Sequence, residues 1–412
     1  MKKRKVYIFN SASRAANYGI GTYINQLVSC LKNSGIDFDI IYLNGEGKEV
    51  AVTEEKGYRQ ILIPAARYRS VKEAGYYYRN VAYLLDEYII QSKDTQCIFH
   101  LNFMTNPLFV SALKKRYNCK IILVCHYTNW SFSLLGDEKR LLTIVKDCTQ
   151  RKSLANKQNY NELKEDIRMI RKCDRFVCVA EHTLNTFLKV SDIEKTKCQI
   201  INNALKDEYK EIDATQKQVL RAKWWIADYR KVILFVGRLD EVKGVSPLIK
   251  AFKKVLQSHS DIHLILAGDG NYNPLLAEAS ECCTRITFTG RLSKKKIQEL
   301  YQIADLGVVP SIHEEFGLVA IEMMMHKLPV IVGNTGGLSE IIKDNVTGLK
   351  VPITTFKRKR TISSTVLSAK IALLLEDERY ASEIAENGRK EFLEKYEISL
   401  FRDKILTLYK SL

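Results

Sequence analysis

Proline is scarce, at seven in 412 residues, and no tract is biased toward one or two residue types, which leaves little room for long disordered segments. No repeat of solenoid or propeller length is present. No apolar run approaches the roughly 20 residues of a membrane span. The run Val6-Tyr7-Ile8-Phe9, which follows the basic start, is too short for the core of a signal peptide. The C-x-x-C spacing is absent, although there are ten cysteines. Cys97, Cys125 and Cys178 lie in apolar, strand-like runs, so the chain reads as a reduced cytoplasmic protein with buried thiols. Zinc-finger spacing and aromatics interleaved with basic residues are also missing, which argues against nucleic acid as a partner.

What the chain has is bulk and positive charge. Its length suits two domains of ordinary size, and 46% hydrophobic with 27% charged residues is a globular composition. The net charge of +17 is uneven: residues 1–200 hold 32 Lys/Arg against 20 Asp/Glu, and residues 201–412 hold 32 against 27. A basic first half attracts anionic lipid or phosphorylated substrates.

Short β-branched runs alternate with longer helical stretches, the pattern of doubly wound α/β domains. Residues 5–10, 38–43, 98–101, 120–125, 175–179 and 200–204 read as strands in the first half. Residues 232–236, 263–267, 286–289, 306–309 and 329–332 do so in the second. Residues 20–33 and 154–172 read as helices, and 354–364, with its basic run 356–360, as a solvated loop. The polar stretch 206–217 marks the boundary between domains, and 391–412 reads as a terminal helix with apolar Phe392, Leu400, Ile405 and Leu408.

Two motifs carry chemistry. The first is Val236-Gly237-Arg238-Leu239-Asp240-Glu241-Val242-Lys243-Gly244. A glycine after an apolar strand lets the backbone turn tightly, and ligands of open α/β sheets bind outside the carboxyl ends of strands. Arg238 and Lys243 stand at that end and suit a diphosphate, one as a planar fork and one as a point charge. The second runs from Pro310 to Glu322 and includes Glu314, Glu315, Phe316, Gly317, Leu318 and Val319. Glu322 sits among apolar helix residues, where a carboxylate needs hydrogen-bonding partners; ribose hydroxyls are suitable ones. The backbone N–H groups of Phe316-Gly317-Leu318 open a helix, where an anion or sugar oxygen is favoured.

The pair G-R-L-D-x-x-K-G and E-x-F-G-x-x-x-x-E resembles glycosyltransferase family 4, the retaining GT-B enzymes. Gly268-Asp269-Gly270, Gly290-Arg291-Leu292, Gly333 to Gly337 with Glu340, and Asn345 to Leu349 add to the likeness in the expected order. The resemblance implies two Rossmann-like doubly wound parallel-sheet domains facing across a cleft. Residues 1–205 would take the acceptor side and 206–390 the nucleotide-sugar donor, and 391–412 would cross back onto the first domain. It implies that Arg238 and Lys243 bind the donor diphosphate, that Glu314 contacts the donor sugar and that Glu322 holds the ribose. Backbone from Phe316 to Val319 would lie along sugar and phosphates, the stretch at Arg291 and Leu292 would meet the nucleobase, and Gly237 would shape the turn.

The first half matches more loosely. Within Asn17-Tyr18-Gly19-Ile20-Gly21, Gly19 and Gly21 resemble the family's glycine-rich loop, and His126 resembles its histidine beside the donor sugar. Ile24 stands where a third glycine of G-x-G-x-x-G would be, which disfavours a dinucleotide oxidoreductase. Ala180 replaces the family's usual serine, and Asn203 stands where glycine often follows asparagine.

The expected activity is retaining transfer of a hexose-type sugar to a glycan, lipid-linked saccharide or peptide, in surface polysaccharide or glycoconjugate assembly. A silent partner-binding subunit and a nucleotide-sugar epimerase are the alternatives. No cofactor is expected. No essential metal is expected either, since Asp37-Phe38-Asp39 spells D-x-D without a matching context. Residues 107–117, with Lys114, Lys115 and Arg116, leave two readings open: peripheral docking at the inner face of an anionic membrane, or an ordinary surface helix.

Overall fold

The computed structural model describes the chain except residues 1–2, 12–18, 33, 56, 68, 91, 93, 105, 151–156 and 357–358. It divides into one unit made of Met1–Ala204 with Ser399–Leu412, and a second made of Leu205–Ile398.

The first unit holds β1 (Lys3–Ser11), β2 (Asp37–Gly45), β3 (Ala51–Glu55), β4 (Tyr58–Pro64), β5 (Thr95–Leu101), β6 (Cys119–Cys125), β7 (Arg175–Cys178) and β8 (Cys198–Ile200). Their order across the sheet is β3-β4-β2-β1-β5-β6-β7-β8, all parallel but for β3. The second unit holds β9 (Lys231–Val236), β10 (Ile262–Ala267), β11 (Ile286–Gly290), β12 (Leu306–Val309), β13 (Val330–Asn334), β14 (Leu349–Phe356) and β15 (Lys359–Ile362). The order is β11-β10-β9-β12-β13-β14-β15, parallel but for β15. In both sheets the order reverses beside the first strand, between β1 and β5 and between β9 and β12. Those two switch points are where ligands of such sheets bind.

Central strands covered on both faces demand continuous apolar runs. Ile121 to Cys125 of β6 and Ile262 to Ala267 of β10 are buried throughout. Helices bury one stripe: Val245, Leu248, Ile249, Phe252 and Val255 of helix Val245–Leu256 lie at helical spacing in the second core.

The structure departs from the sequence reading at the edges. The hairpin β3–β4 and the strands β14 and β15 have no counterpart in it, and the solvated loop read over 354–364 includes the β14–β15 ladder. Val52, Glu54 and Glu55 of β3 are exposed, so a charged edge strand lacks the alternation that identifies strands. Residues 201–204 are not strand, because β8 stops at Ile200. The long helix expected to begin at 154 is described as Lys157–Lys172, its first residues being among those not described. The terminal helix is two, Glu378–Lys395 and Ile398–Lys410. Leu205 causes the break: its N–H donates to the Tyr396 carbonyl at 2.9 Å, and its carbonyl accepts from Ile398 N–H at 3.0 Å, which removes both groups from helical pairing. Phe392, Ile405 and Leu408 are buried, whereas Leu400 is 36% exposed.

Candidate functional site

The second unit gathers the charged motif at its switch point. After β9 the chain turns through Gly237 to Asp240, whose Oδ1 accepts from the Lys243 N–H at 3.1 Å and caps a short turn, Glu241–Lys243. Gly244 then has φ +69°, and a Cβ there would stand 2.0 Å from the Pro310 carbonyl oxygen. Only glycine lets the loops after β9 and β12 close to this distance. Backbone hydrogen bonds bind neighbouring loops together: Gly237 to Ala267, Leu239 to Asp269, Gly268 to Gly290, Ile312 to Val242 and Gly337 to Glu314.

Lys243 and Glu314 meet in this framework, and Arg238 stands on the same loop as Lys243. Lys243 Nζ lies 2.5 Å from Glu314 Oε2, which also accepts from Ser311 Oγ at 3.2 Å; both members of the ion pair are about four-fifths buried. Arg238 lies 3.2 Å from Asp240 and is more open. Each cation therefore already has a carboxylate partner.

Gly317, at φ +118°, precedes helix Leu318–Met325, with Leu318 and Val319 half-buried at its start. Phe316 is buried, its ring 6.1 Å from that of Tyr396. Glu322, one turn into the helix, is not joined to the cations; its Oε2 accepts from Tyr301 Oη at 2.7 Å. Desolvation raises the Glu322 carboxyl pKa, and the Tyr301 hydrogen bond opposes that rise. Tyr301 in turn stacks on His326 at 5.0 Å, whose buried imidazole is held down to about 4 by desolvation. Arg291 and Leu292 follow β11, which β10 separates from β9, and Arg291 is exposed.

Gly19, Gly21 and His126 belong to the first unit. Gly19 and Gly21 open helix Gly19–Lys32, and Asn17 and Tyr18 lie outside the described residues. His126 follows β6, and its Nε2 lies 3.1 Å from Asn102 Oδ1. Asn102 Nδ2 already donates to the Phe9 carbonyl, so Oδ1 is the acceptor and His126 Nε2 carries the proton. Nδ1 is then the ring's acceptor. Burial lowers the His126 pKa to about 3, so the ring is neutral. Beneath it, Tyr23 packs edge-on at 4.5 Å and shares His100 with Tyr409: His100 Nε2 lies 3.1 Å from Tyr23 Oη, and Nδ1 lies 2.7 Å from Tyr409 Oη.

Three partners escaped the sequence reading: Ser311, Tyr301 and Asn102. Asn102 was within reach, as a polar residue directly after an apolar strand at a switch point. Tyr301 was not, because its pairing with Glu322 joins helices 21 residues apart. The Asp37-Phe38-Asp39 motif is divided: Asp39 is buried against Arg59 and Lys5, and Asp37 pairs at the surface with Lys3.

Known families and structures match this arrangement. The family described as Glycosyltransferase Family 4 matches residues 18–209, and Glycosyl transferases group 1 matches residues 216–391. An uncharacterized glycosyltransferase of Methanocaldococcus jannaschii is 29% identical over 57% of this chain and 59% of its own length. The chain spans about half the length of the curated relatives it matches. Among solved structures, sucrose-phosphate synthase of Thermosynechococcus elongatus aligns over 99% of both chains with a TM-score of 0.75 at 20% identity. The HepE protein of Anabaena, in complex with UDP and glucose, aligns over 100% of both with a TM-score of 0.73 at 16% identity. These likenesses show that the fold is GT-B.

Proposed function

Because the chain belongs to the family 4, group 1 glycosyltransferases, with one family match in each half, we propose that it moves a hexose-type sugar from a nucleotide diphosphate to an acceptor hydroxyl with retention of configuration. The observation that supports the proposal is the Lys243–Glu314 pair, joining the loops after β9 and β12 at the switch point of the second sheet, with Arg238 on the first of those loops.

The steps follow from charge. The donor diphosphate displaces Asp240 from Arg238 and Glu314 from Lys243, and Glu314 is released toward the sugar hydroxyls. The bond between the anomeric carbon and the phosphate oxygen breaks as the acceptor oxygen attacks from the same face, and the acceptor proton passes to the departing phosphate. Negative charge grows on the leaving diphosphate, where the two cations and the amides opening helix Leu318–Met325 stabilise it. Glu322, oriented by Tyr301, accepts from ribose. The stretch at Arg291 and Leu292 meets the base, Gly237 admits the phosphates, and backbone from Phe316 to Val319 lies along the donor. We assign to His126 a contact with the donor sugar, for which its neutral Nδ1 serves as acceptor, and to Gly19 and Gly21 a backbone approach to donor phosphate and acceptor.

The acceptor is a glycan, lipid-linked saccharide or peptide, the setting surface polysaccharide or glycoconjugate assembly, and the location the cytoplasm. No cofactor or metal enters this reading. Peripheral contact with an anionic membrane is part of it. Among the described residues no helix is long and apolar enough to cross a membrane. Helix Pro107–Arg116 buries Phe109, Val110 and Leu113; Lys114 pairs with Asp174, and Arg116 with Asp86, which leaves Lys115 and the half-exposed Leu108 outward. A thermal-shift panel of UDP-, GDP- and ADP-sugars tests the donor, since a ligand that binds only the folded state raises the melting temperature. One class should stabilise the wild type and not R238A/K243A; no stabilisation by any of them would reject the assignment.

A further inference from the structure

A concavity of about 250 Å³ lies in the first unit at the amino ends of β6 and β7. His126 follows the opposite end of β6, so seven residues of strand, or about 20 Å, separate the two places. The lining brings together Lys114, Lys120, Arg171, Lys172, Arg175 and Lys197. Asp174 is the side-chain carboxylate among them, and it is committed: it accepts from the Ile121 N–H at 2.8 Å and pairs with Lys114 at 3.0 Å and Lys120 at 3.8 Å. Asp192 and Glu194 pair with Arg171 and Lys197. Three side-chain carboxylates, one of them in the lining, thus offset six cations, and Ser411 with the terminal residue Leu412 completes the lining.

Part of the cluster has an ordinary cause. Lys114, Arg171 and Lys172 occupy the last turns of their helices, where cations offset the partial charge of free carbonyls. That does not account for Lys120 and Arg175 at strand starts or for Lys197 in a separate turn, all pointed into the same hollow. Gathering like charges in a concave site raises the local potential and favours an anion there. Lysine and arginine together supply both point charges and planar forks, the mixture that suits phosphate oxygens.

We propose that this hollow binds a phosphate group, carried either by a soluble phosphorylated compound or by the headgroup of an anionic lipid. The site goes beyond the sugar-transfer reading and does not depend on it. Titration of the full-length R238A/K243A protein with pyrophosphate tests it, because that background silences the other diphosphate site. Saturable binding is expected, weakened at least tenfold by K120Q/R175Q/K197Q and kept by the charge-preserving K120R/K197R. It should also weaken with salt, as screening shortens the reach of the cations. An unchanged melting temperature without ligand shows that the Gln variant is folded. Absence of saturable binding, or binding indifferent to the Gln substitutions, overturns the site. Flotation with vesicles separates the sources. Binding to phosphatidylglycerol vesicles but not to phosphatidylcholine, lost in the Gln variant, identifies a lipid headgroup. Pyrophosphate binding without such flotation identifies a soluble ligand.

Discussion

The strand ends of the two units are built on opposite principles. In the second unit charged side chains meet on loops bound by backbone hydrogen bonds, and the cations come from one nine-residue motif. In the first, His126 is neutral and rests on a side-chain network, Asn102, Tyr23, His100 and Tyr409, drawn from distant parts of the chain. A backbone-tied loop keeps its shape when a side chain is changed, so substitutions there remove chemistry. A side-chain network loses position and stability together.

The largest effect expected from that contrast is R238A or K243A. Each should lower transfer at saturating donor by about a hundredfold or more, the scale of losing one charge-stabilising group; the more open Arg238 should leave the melting temperature little changed, whereas K243A strips Glu314 of its cation and should lower it. Near-normal rates in both variants, measured by product formation, would break the charged half of the comparison.

Next comes Tyr301→Phe. A hydrogen bond to a charged group contributes about 1.5–3 kcal/mol, so donor affinity should fall about tenfold or more while kcat changes less. Desolvation already raises the Glu322 pKa, and removing the tyrosine hydroxyl raises it further. Donor binding should therefore fail at higher pH in the variant as pH is lowered. An identical pH profile in calorimetric titrations would show that Tyr301 does not support the ionised carboxylate.

Smaller again is an acid effect in the first unit. Burial lowers His100 to about 3 from an ordinary 6.5. Between those values the unfolded chain holds a proton that the folded chain does not, so this histidine's contribution is full above pH 6.5 and is lost as pH falls toward 3. The slope is of order 1 kcal/mol per pH unit. His100→Asn should be less stable at neutral pH yet show a shallower loss from pH 6.5 to 4.5 in urea melts. An unaltered slope would remove His100 from the account. The smallest effect is Leu400→Ala, expected to change stability by less than about 0.5 kcal/mol because the side chain is partly solvated. A loss above 2 kcal/mol would mean that Leu400 packs as the terminal-helix pattern first suggested.

The same contrast governs what could be read from sequence. Arg238, Lys243, Glu314 and Glu322 were legible because strand ends place them and their motifs are contiguous. The central strands were legible from their apolar runs. The edge strands β3 and β15 were hidden by the charges that protect them. The break at Tyr396 and Glu397 was hidden because its cause, Leu205, lies 191 residues earlier. Pairings such as Tyr301 with Glu322 and Asn102 with His126 are tertiary, and no local pattern encodes them. The partners of Arg238 and Lys243 were written in the two motifs all along, Asp240 in the first and Glu314 in the second, though nothing in one dimension says which carboxylate meets which cation.

The first unit is also discontinuous, and that has a consequence for its birth on the ribosome. Phe401 and Tyr409 complete the packing around Tyr23 and His100, yet they are translated only after the whole of Leu205–Ile398. At about 5–20 residues per second, that interval lasts roughly 10–40 s. At its end the second unit has all its residues, whereas the first has its sheet but lacks the tyrosine that satisfies His100 Nδ1. The half of the protein made first is therefore the half finished last, and a chaperone guarding nascent chains should be found on residues 1–204 of stalled chains more than on their later half.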